Sequence, residues 1–98
     1  AGTVLESFEL FQNYPNPFNP STTISYALSN NSRVSLKIFD LLGREVATLV
    51  NGDREAGTYK ATFNATNFAS GVYFARLNVM DSNGNSKFIK TNKLMLVK

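Results

Sequence analysis

Seven carboxylates and several serine hydroxyls are the side chains of this sequence that could take part in catalysis. Glycoside hydrolysis would need two carboxylates facing each other across a cleft, but Asp40 and Asp81 stand at turn positions that favour an Asx side chain. A serine nucleophile would need a base such as histidine, and the chain has no histidine and no cysteine. The residues therefore predict no catalytic site and no enzymatic activity.

Metal chemistry is suggested by the spacing of Asp81, Asn83 and Asn85, which matches the first three ligand positions of a calcium loop. Such a loop needs glycine at its sixth position and glutamate at its twelfth, where this chain has Ser86 and Asn92. The segment therefore predicts a turn, and we expect neither a metal nor a cofactor.

Length and composition indicate a single domain. The chain has 98 residues, of which 43% are hydrophobic and 17% charged, and no apolar run approaches the ~20 residues of a membrane span. An export signal, if the protein is exported, would lie on a larger precursor.

The formal net charge of +3 comes from four lysines in the last twelve residues, without which it would be −1. Because no basic stripe with interleaved aromatic residues accompanies them, we expect no nucleic-acid partner.

The elements that must position any site are strands. Apolar residues alternate most clearly over residues 33–39, where Val34, Leu36 and Ile38 share one face. Counting a short opening strand near residues 8–11, the other strands are predicted at residues 23–28, 44–50, from Gly57, from Gly71 and at 87–97. The pattern predicts an all-β fold, a seven-stranded antiparallel two-sheet sandwich of immunoglobulin-like type. A small barrel with the same strands is the alternative.

Turn chemistry separates these strands. Asp40-Leu41-Leu42-Gly43 fits a type I turn closed by a left-handed glycine, and residues 81–85 give a second hairpin turn. Asn51-Gly52-Asp53 predicts a further turn. The acids that follow the first turn are expected to form solvated pairs with their neighbours in sequence, with Glu45, Asp53 and Glu55 beside Arg44 and Arg54.

All three prolines lie in the proline segment, residues 14–20, which reads Tyr14-Pro15-Asn16-Pro17-Phe18-Asn19-Pro20. Fixed φ angles predict a stiff crossover that closes one end of the sandwich and stays out of the central ladder. Tyr14 and Phe18 are expected to anchor the segment in the core, and its Asn side chains are expected to bond nearby backbone. Across the whole chain, every aromatic residue except Phe74 and Phe88 is expected to have a core position. Docking of a proline-recognising partner is the weaker alternative, because only Pro17 and Pro20 have the required spacing.

Several segments in order resemble one known family, the type A C-terminal sorting domains of the bacterial type IX secretion system. The first is residues 11–24, and the second is Val34-x-Leu36-x-Ile38-Phe39-Asp40-x-x-Gly43-Arg44-Glu45-Val46. Two more are Ala56-Gly57-x-Tyr59 and Ala69-Ser70-Gly71-Val72-Tyr73-Phe74-x-Arg76-Leu77, and the last is residues 93–98. The residues that we take as structural members of these motifs are Tyr14, Pro15, Asn16, Pro17, Phe18, Asn19, Pro20, Asp40, Gly43, Arg44, Gly57, Tyr59, Gly71 and Tyr73.

The resemblance implies a non-catalytic secretion signal at the end of a larger cargo protein. Such a domain passes through the periplasm and directs its cargo through the outer-membrane translocon to the cell surface or the medium. A sortase-like peptidase removes the domain in many members, and the cargo is attached to the surface or released. By this analogy residues 1–7 are a linker remnant and residues 8–98 the sorting domain, which we expect to be a monomer.

The last strand is the expected recognition element for the translocon. Its candidate residues are Lys87, Lys90, Lys93, Leu94, Leu96, Val97 and Lys98. Leu94 and Leu96 are also predicted to be in the core, and the lysines could equally serve to block edge-to-edge aggregation. Removing residues 93–98 is expected to abolish export while leaving a folded domain.

An accessory module of a secreted hydrolase is the alternative function. Immunoglobulin-like domains of this kind bind glycans or act as spacers, and the domain of flagellar hook-capping proteins has a similar Gly-Arg-Glu-Val hairpin. Glycan binding would favour a row of exposed aromatic residues, of which the sequence predicts few.

Overall fold

Period-two alternation along the chain produces seven strands in the computed structural model, which describes residues 8–98. Burial alternates most regularly at Ser21–Leu28, because successive side chains point to opposite faces of a pleated strand. The strands are β1 (Glu9–Leu10), β2 (Ser21–Leu28), β3 (Ser32–Phe39), β4 (Glu45–Arg54), β5 (Gly57–Asn64), β6 (Gly71–Met80) and β7 (Ser86–Leu96).

Two antiparallel sheets are built from these strands. One has three strands in the order β1-β2-β5, and the other has four in the order β4-β3-β6-β7. The chain changes sheet between β4 and β5 through only two residues, Glu55 and Ala56. The fold is therefore the predicted seven-stranded immunoglobulin-like sandwich, and not the barrel alternative.

The core lies between the two sheets and draws on both. Its centre is formed by side chains that are fully buried in β3 and β6, such as Leu36 and Leu77, which are paired across the two strands. Burial of a side chain of this size stabilises the fold by about 1.5–3 kcal/mol. The buried apolar residues are Leu10, Phe18, Ile24, Tyr26, Leu28, Val34, Leu36, Ile38, Val50, Phe63, Ala65, Tyr73, Ala75, Leu77, Val79, Leu94 and Leu96.

The sandwich has two distinct ends. At the proximal end, where Phe8 begins the described chain, lie the connections at residues 29–31, 55–56 and 81–85. At the distal end lie the proline segment, the turn at residues 40–44, the loop at 65–70 and the last residues, 97–98. The described chain therefore starts and finishes at opposite ends of the sandwich.

The predicted turn at Asn51-Gly52-Asp53 is wrong. These residues belong to β4 and pair with Arg33, Val34 and Ser35 of β3. Their local preference for a turn is outweighed by the ladder, which continues until the chain leaves the sheet after Arg54.

The predicted ion pairs between sequence neighbours are also wrong. Glu45 pairs with Lys37 at 3.2 Å, and Asp53 lies 4.0 Å from Arg33. Both are cross-strand pairs: Asp53 is opposite Arg33, and Glu45 is opposite Phe39, two residues from Lys37 on the same strand. Neighbours along a strand point to opposite faces, whereas residues that meet across the ladder share a face.

Candidate recognition site

β7 is the edge strand of the four-stranded sheet, and its two halves have different surroundings. On one side the whole strand pairs with β6, from Met80 opposite Ser86 to Gly71 opposite Leu96. We call residues 86–91 the leading half of β7, and residues 92–97, the end of the strand and the residue after it, the trailing half.

The trailing half carries a second set of backbone hydrogen bonds, made with the proline segment. The Phe18 N–H donates to the Met95 carbonyl at 2.9 Å, and the Val97 N–H donates to the Phe18 carbonyl at 3.1 Å. Phe18 thereby forms a parallel bridge with Leu96. The edge of the sheet is closed here by a segment about eighty residues away in the sequence.

Amide side chains complete this closure. Asn16 Oδ1 accepts from the Met95 N–H at 3.0 Å, and Gln12 Nε2 donates to the Lys93 carbonyl at 3.1 Å. Asn92 Nδ2 donates in the opposite direction, to the Phe11 carbonyl at 3.1 Å. The prediction that Asn side chains bond nearby backbone is thus too narrow, since Asn16 bonds backbone that is distant in sequence.

Phe18 anchors the proline segment, as predicted. Its side chain is 2% exposed, and its ring centroid lies 6.0 Å from that of Phe63. This places an aromatic plug between the sheets at the distal end.

Tyr14 does not anchor the segment, and this prediction is wrong: its side chain is 81% exposed. Its backbone exchanges two hydrogen bonds with Thr23, at 3.0 and 2.9 Å. Asn13 and Thr22 face inward beside this bridge. Because successive side chains of an extended chain point to opposite faces, the Tyr14 side chain points outward. Phe11 is exposed as well, so the expectation of a core position for nearly every aromatic residue also fails there.

A buried polar cluster takes the anchoring role expected of Tyr14. Asn13 Nδ2 donates to Thr22 Oγ1 at 2.9 Å and to the Pro15 carbonyl at 3.2 Å, and the Thr22 hydroxyl donates to the same carbonyl at 2.8 Å. Asn13 and Thr22 are 3% and 2% exposed, so these bonds satisfy groups that water does not reach. This cluster was not predicted, because its only signal in the sequence is an amide shortly before a proline.

The four lysines of the predicted recognition set do not form one surface. Lys87 lies at a bulge, with Nζ 3.0 Å from Asn30 Oδ1 and 5.2 Å from the centre of the Phe8 ring. Lys98 Nζ donates to the Thr66 carbonyl at 2.6 Å, and its backbone N–H donates to Ser70 Oγ at 3.0 Å. Each of these two lysines is therefore bound within the domain.

Lys90 and Lys93 are exposed on opposite faces of β7. Lys90 is paired with the buried Leu77, so it stands on the inner face at the margin of the sandwich. Lys93 is paired with Phe74, which places it on the outer face of the four-stranded sheet.

The three apolar members of the predicted recognition set also differ in their burial. Leu94 and Leu96 are buried in the core, as predicted, whereas Val97 is exposed. Removing residues 93–98 would delete both leucines and the backbone that Phe18 bonds. The structure therefore does not support the expectation that the truncated domain stays folded.

The other motif residues brace turns and connections. Gly43 has a φ of +83°, and the Asp40 side chain accepts from the N–H groups of Leu42 and Arg44, each at 2.9 Å. Hydrogen bonds from Arg44 and Leu42 lower the pKa of Asp40. That carboxylate therefore contributes stability above its ordinary pKa, and the contribution is lost as the pH falls.

Two motif tyrosines bind backbone at opposite ends. At the proximal end Tyr59 stacks on Tyr26, with centroids 5.3 Å apart, and donates to the Glu55 carbonyl at 2.6 Å. At the distal end Tyr73 donates to the Ala69 carbonyl at 2.7 Å. Gly57 and Gly71 begin the strands that carry these tyrosines.

An open cleft of about 710 Å³ lies at the proximal end between residues 31–33, 53–55 and 81–84. Within residues 8–98 no three His, Cys, Asp or Glu side chains come close enough to hold a metal ion. No helix in this region is long and apolar enough to cross a membrane.

The fold and the site define an immunoglobulin-like β-sandwich whose last strand is sealed at its end by a proline-rich segment. The family model for the secretion system C-terminal sorting domain matches residues 12–91. The chain therefore belongs to the family of type IX secretion C-terminal sorting domains, which confirms the resemblance. Such a domain is a sorting signal for secretion out of the cell across the outer membrane, carried as the C-terminal part of a larger protein.

Two other comparisons add little. No curated protein matches the chain. Among solved structures, CopC from Methylosinus trichosporium OB3b is similar with a TM-score of 0.49 and 19% identity, over 92% of this chain and 91% of that one.

Proposed function

We propose that this domain is a non-catalytic signal that directs a larger cargo protein from the periplasm through the type IX outer-membrane translocon. The observation that carries the proposal is the family match over residues 12–91, which includes most of the sandwich and the whole proline segment. The two ends of the sandwich suit this role. Cargo joined before Phe8 leaves the proximal end, so the distal end stays accessible.

Recognition of the translocon is assigned to the exposed side chains of β7 and the residues after it. Lys90 and Lys93 are the strongest members, because both are exposed and neither ammonium group has a hydrogen-bond partner in residues 8–98. Lys87, Val97 and Lys98 contribute from the ends of the strand. Leu94 and Leu96 act through the core by holding β7 in place.

Processing is assigned to the start of the chain. Residues 1–7, the linker remnant of our proposal, lie outside the described residues, and the domain of residues 8–98 begins where Phe8 packs against Phe88 with ring centroids 5.9 Å apart. A cut by a sortase-like peptidase before this contact would separate the cargo and leave the sandwich whole. The cargo would then be released or attached to the surface.

A secretion assay tests the proposal. Residues 1–98 are fused to the C-terminus of a Sec-exported fluorescent reporter, in a bacterium with a type IX system and in a translocon-deficient strain. We expect the reporter at the surface or in the medium of the intact strain only. A folded reporter that stays in the periplasm of both strains contradicts the sorting role.

The lysines are tested in the same assay by charge reversal. We expect Lys90→Glu with Lys93→Glu to lower export at least several-fold with the thermal midpoint little changed, since both side chains are exposed. Lys60→Glu is the matched control, because Lys60 is an exposed strand lysine of the other sheet. Equal export of both variants would remove these lysines from the recognition site.

Exposure of Phe11 and Tyr14 keeps an accessory glycan-binding module as the second candidate. Exposed aromatic rings offer apolar faces on which sugar rings can stack. A glycan array probed with the wild-type domain and with Tyr14→Ala tests this function. Binding that Tyr14→Ala abolishes would support it, and the absence of binding would leave the sorting role alone.

A further inference from the structure

Two turns at opposite ends of the sandwich share one backbone design. In the distal turn, residues 40–44, the Asp40 N–H donates to the Arg44 carbonyl at 2.9 Å and the Gly43 N–H to the Asp40 carbonyl at 3.0 Å. In the proximal turn, residues 81–85, the corresponding bonds are 2.9 and 3.0 Å. Each aspartate accepts two further N–H groups at 2.9 Å, and each glycine has a φ near +84°.

The two central positions are what distinguish these turns. The proximal turn has Ser82 and Asn83 there, both exposed and polar, as is usual for a solvated turn. The distal turn has Leu41 and Leu42, which are 69% and 77% exposed. Since the proximal turn forms the same hydrogen bonds without leucine, the turn geometry does not explain the leucines.

The leucines belong to a larger apolar surface at the distal end. They line an open cleft of about 300 Å³ together with Val72, the second residue of β6. Val72 is paired with Met95, which is exposed on the outer face of β7. We call Leu41, Leu42, Val72 and Met95 the distal patch.

Cations border the distal patch on the outer face of the sheet. Lys93 lies two residues before Met95 and shares its face, and Arg76 lies over the ring of Phe39 with its guanidinium carbon 4.7 Å from the ring centre. The acids closest along this region are already engaged: Asp40 by Arg44, and Glu45 by Lys37. The rim of the patch is therefore positively charged.

We propose that the distal patch is a docking surface for a protein of the secretion apparatus, which takes the two leucines into an apolar pocket and presents carboxylates to Lys93 and Arg76. The inference rests on the proposed sorting function and names the surface through which it acts. Paired leucines beside a cleft offer a protuberance and a recess to one partner, a shape that a protein surface can match on both sides. A lipid surface would contact only the protuberance.

The position of the patch agrees with this role. It lies at the end opposite Phe8, so a cargo domain joined before Phe8 leaves it uncovered. An apolar centre with a polar rim is also the usual anatomy of a protein interface, in which a few central residues dominate the binding energy.

The test replaces the leucines by the residues of the proximal turn. The variant Leu41→Ser with Leu42→Asn is placed in the reporter fusion of residues 1–98, and Ser82→Ala with Asn83→Ala is the matched control. We expect the thermal midpoint of the leucine variant to be unchanged within a few degrees and its export to fall about tenfold or more, as for loss of an interface hot spot. The control should export like the wild type.

A photo-crosslinking residue at position 42 identifies the occupant in intact cells. We expect a crosslinked band of the fusion with a protein of the secretion apparatus, absent from the translocon-deficient strain. Export of the leucine variant at the wild-type level would overturn the docking surface. The protein docking surface would also be overturned if the domain bound phosphatidylethanolamine–phosphatidylglycerol vesicles through the leucines and gave no protein crosslink. That result would favour a lipid surface as the occupant.

The two proposals fail in different ways. A wild-type domain that does not export its reporter overturns the sorting function itself. Wild-type export with an undiminished leucine variant overturns only the docking surface.

Discussion

The two halves of β7 protect the same sheet edge by different means. The trailing half is covered by the proline segment and by Gln12 just before it, which supply backbone and amide hydrogen bonds. In the leading half, residues 8–98 provide no such cover, and the edge carries a bulge near Lys87 and an inward-placed lysine, Lys90. Both are recognised ways of preventing a further strand from pairing with an edge.

The difference indicates which parts of β7 serve stability and which remain available for contact with other molecules. The trailing half buries Leu94 and Leu96 and is joined to distant parts of the chain, so changes to its buried side chains and its backbone bonds should affect folding. Its exposed side chains, Lys93, Met95 and Val97, remain available for contact. The leading half is exposed apart from the half-buried Phe88, so most changes there should affect association.

Loss of the Phe18 ring is the strongest test of this division. Phe18→Ala should lower the free energy of unfolding by about 3–5 kcal/mol, because it empties a buried site between the sheets. Phe88→Ala in the leading half is the control, and its loss should be clearly smaller because Phe88 is only half-buried. Urea denaturation measures both, and equal losses would contradict the comparison.

The buried polar cluster gives the next largest effect. Thr22→Val keeps the shape of the side chain but leaves the Pro15 carbonyl and Asn13 amide without their hydroxyl partner, which should cost about 1–3 kcal/mol. Thr91→Val on the exposed leading half should change stability by no more than about 0.5 kcal/mol. Thermal unfolding distinguishes the two, and a neutral Thr22→Val would show that the cluster is not needed.

A substitution at Asn16 tests a single hydrogen bond between the proline segment and the trailing half. Asn16→Ala removes the acceptor of the Met95 N–H and should cost about 1 kcal/mol. The Met95 amide should also exchange faster with deuterium, whereas Asn16→Asp, which keeps the acceptor oxygen, should retain protection. Unchanged exchange in Asn16→Ala would mean that the backbone bonds of Phe18 are sufficient.

Lys90 gives the smallest effect on folding. Lys90→Thr should leave the free energy of unfolding within about 0.5 kcal/mol of the wild type, since the side chain is exposed. It should increase self-association at high concentration, because an uncharged residue no longer blocks pairing at this edge. Sedimentation velocity measures this, with Lys37→Thr as control because Lys37 lies on the interior strand β3. Two equally monomeric variants would contradict the blocking role.

The sequence was sufficient for the strands because their information is local. The alternation of Val34, Leu36 and Ile38 indicates both that this segment is a strand and which of its faces is buried. The Asp and Gly of each hairpin turn similarly predict the geometry found at Gly43 and Gly84. These features depend on neighbours within a few residues.

The contacts of the candidate site could not be predicted in the same way. The bonds of Asn16 and Gln12 to β7 join residues about eighty positions apart, and an amide has no local pattern that indicates a distant partner. Tyr14 was misplaced because its apolar ring suggested burial, whereas the bridge to Thr23 decided its direction. Asn51-Gly52-Asp53 failed because pairing with β3 outweighs the preference of three residues for a turn.

The placement of the two ends of the chain has a mechanical consequence. A load applied between Phe8 and Lys98 runs parallel to the strands, since β1 starts at the proximal end and β7 finishes at the distal end. Hydrogen bonds in an antiparallel ladder lie across the strands, so such a load stresses all the bonds between β6 and β7 together. Tension from a large cargo protein would therefore load the ladder between β6 and β7 in shear. In this direction its hydrogen bonds must break together, because they cannot be separated one at a time from an end of the ladder.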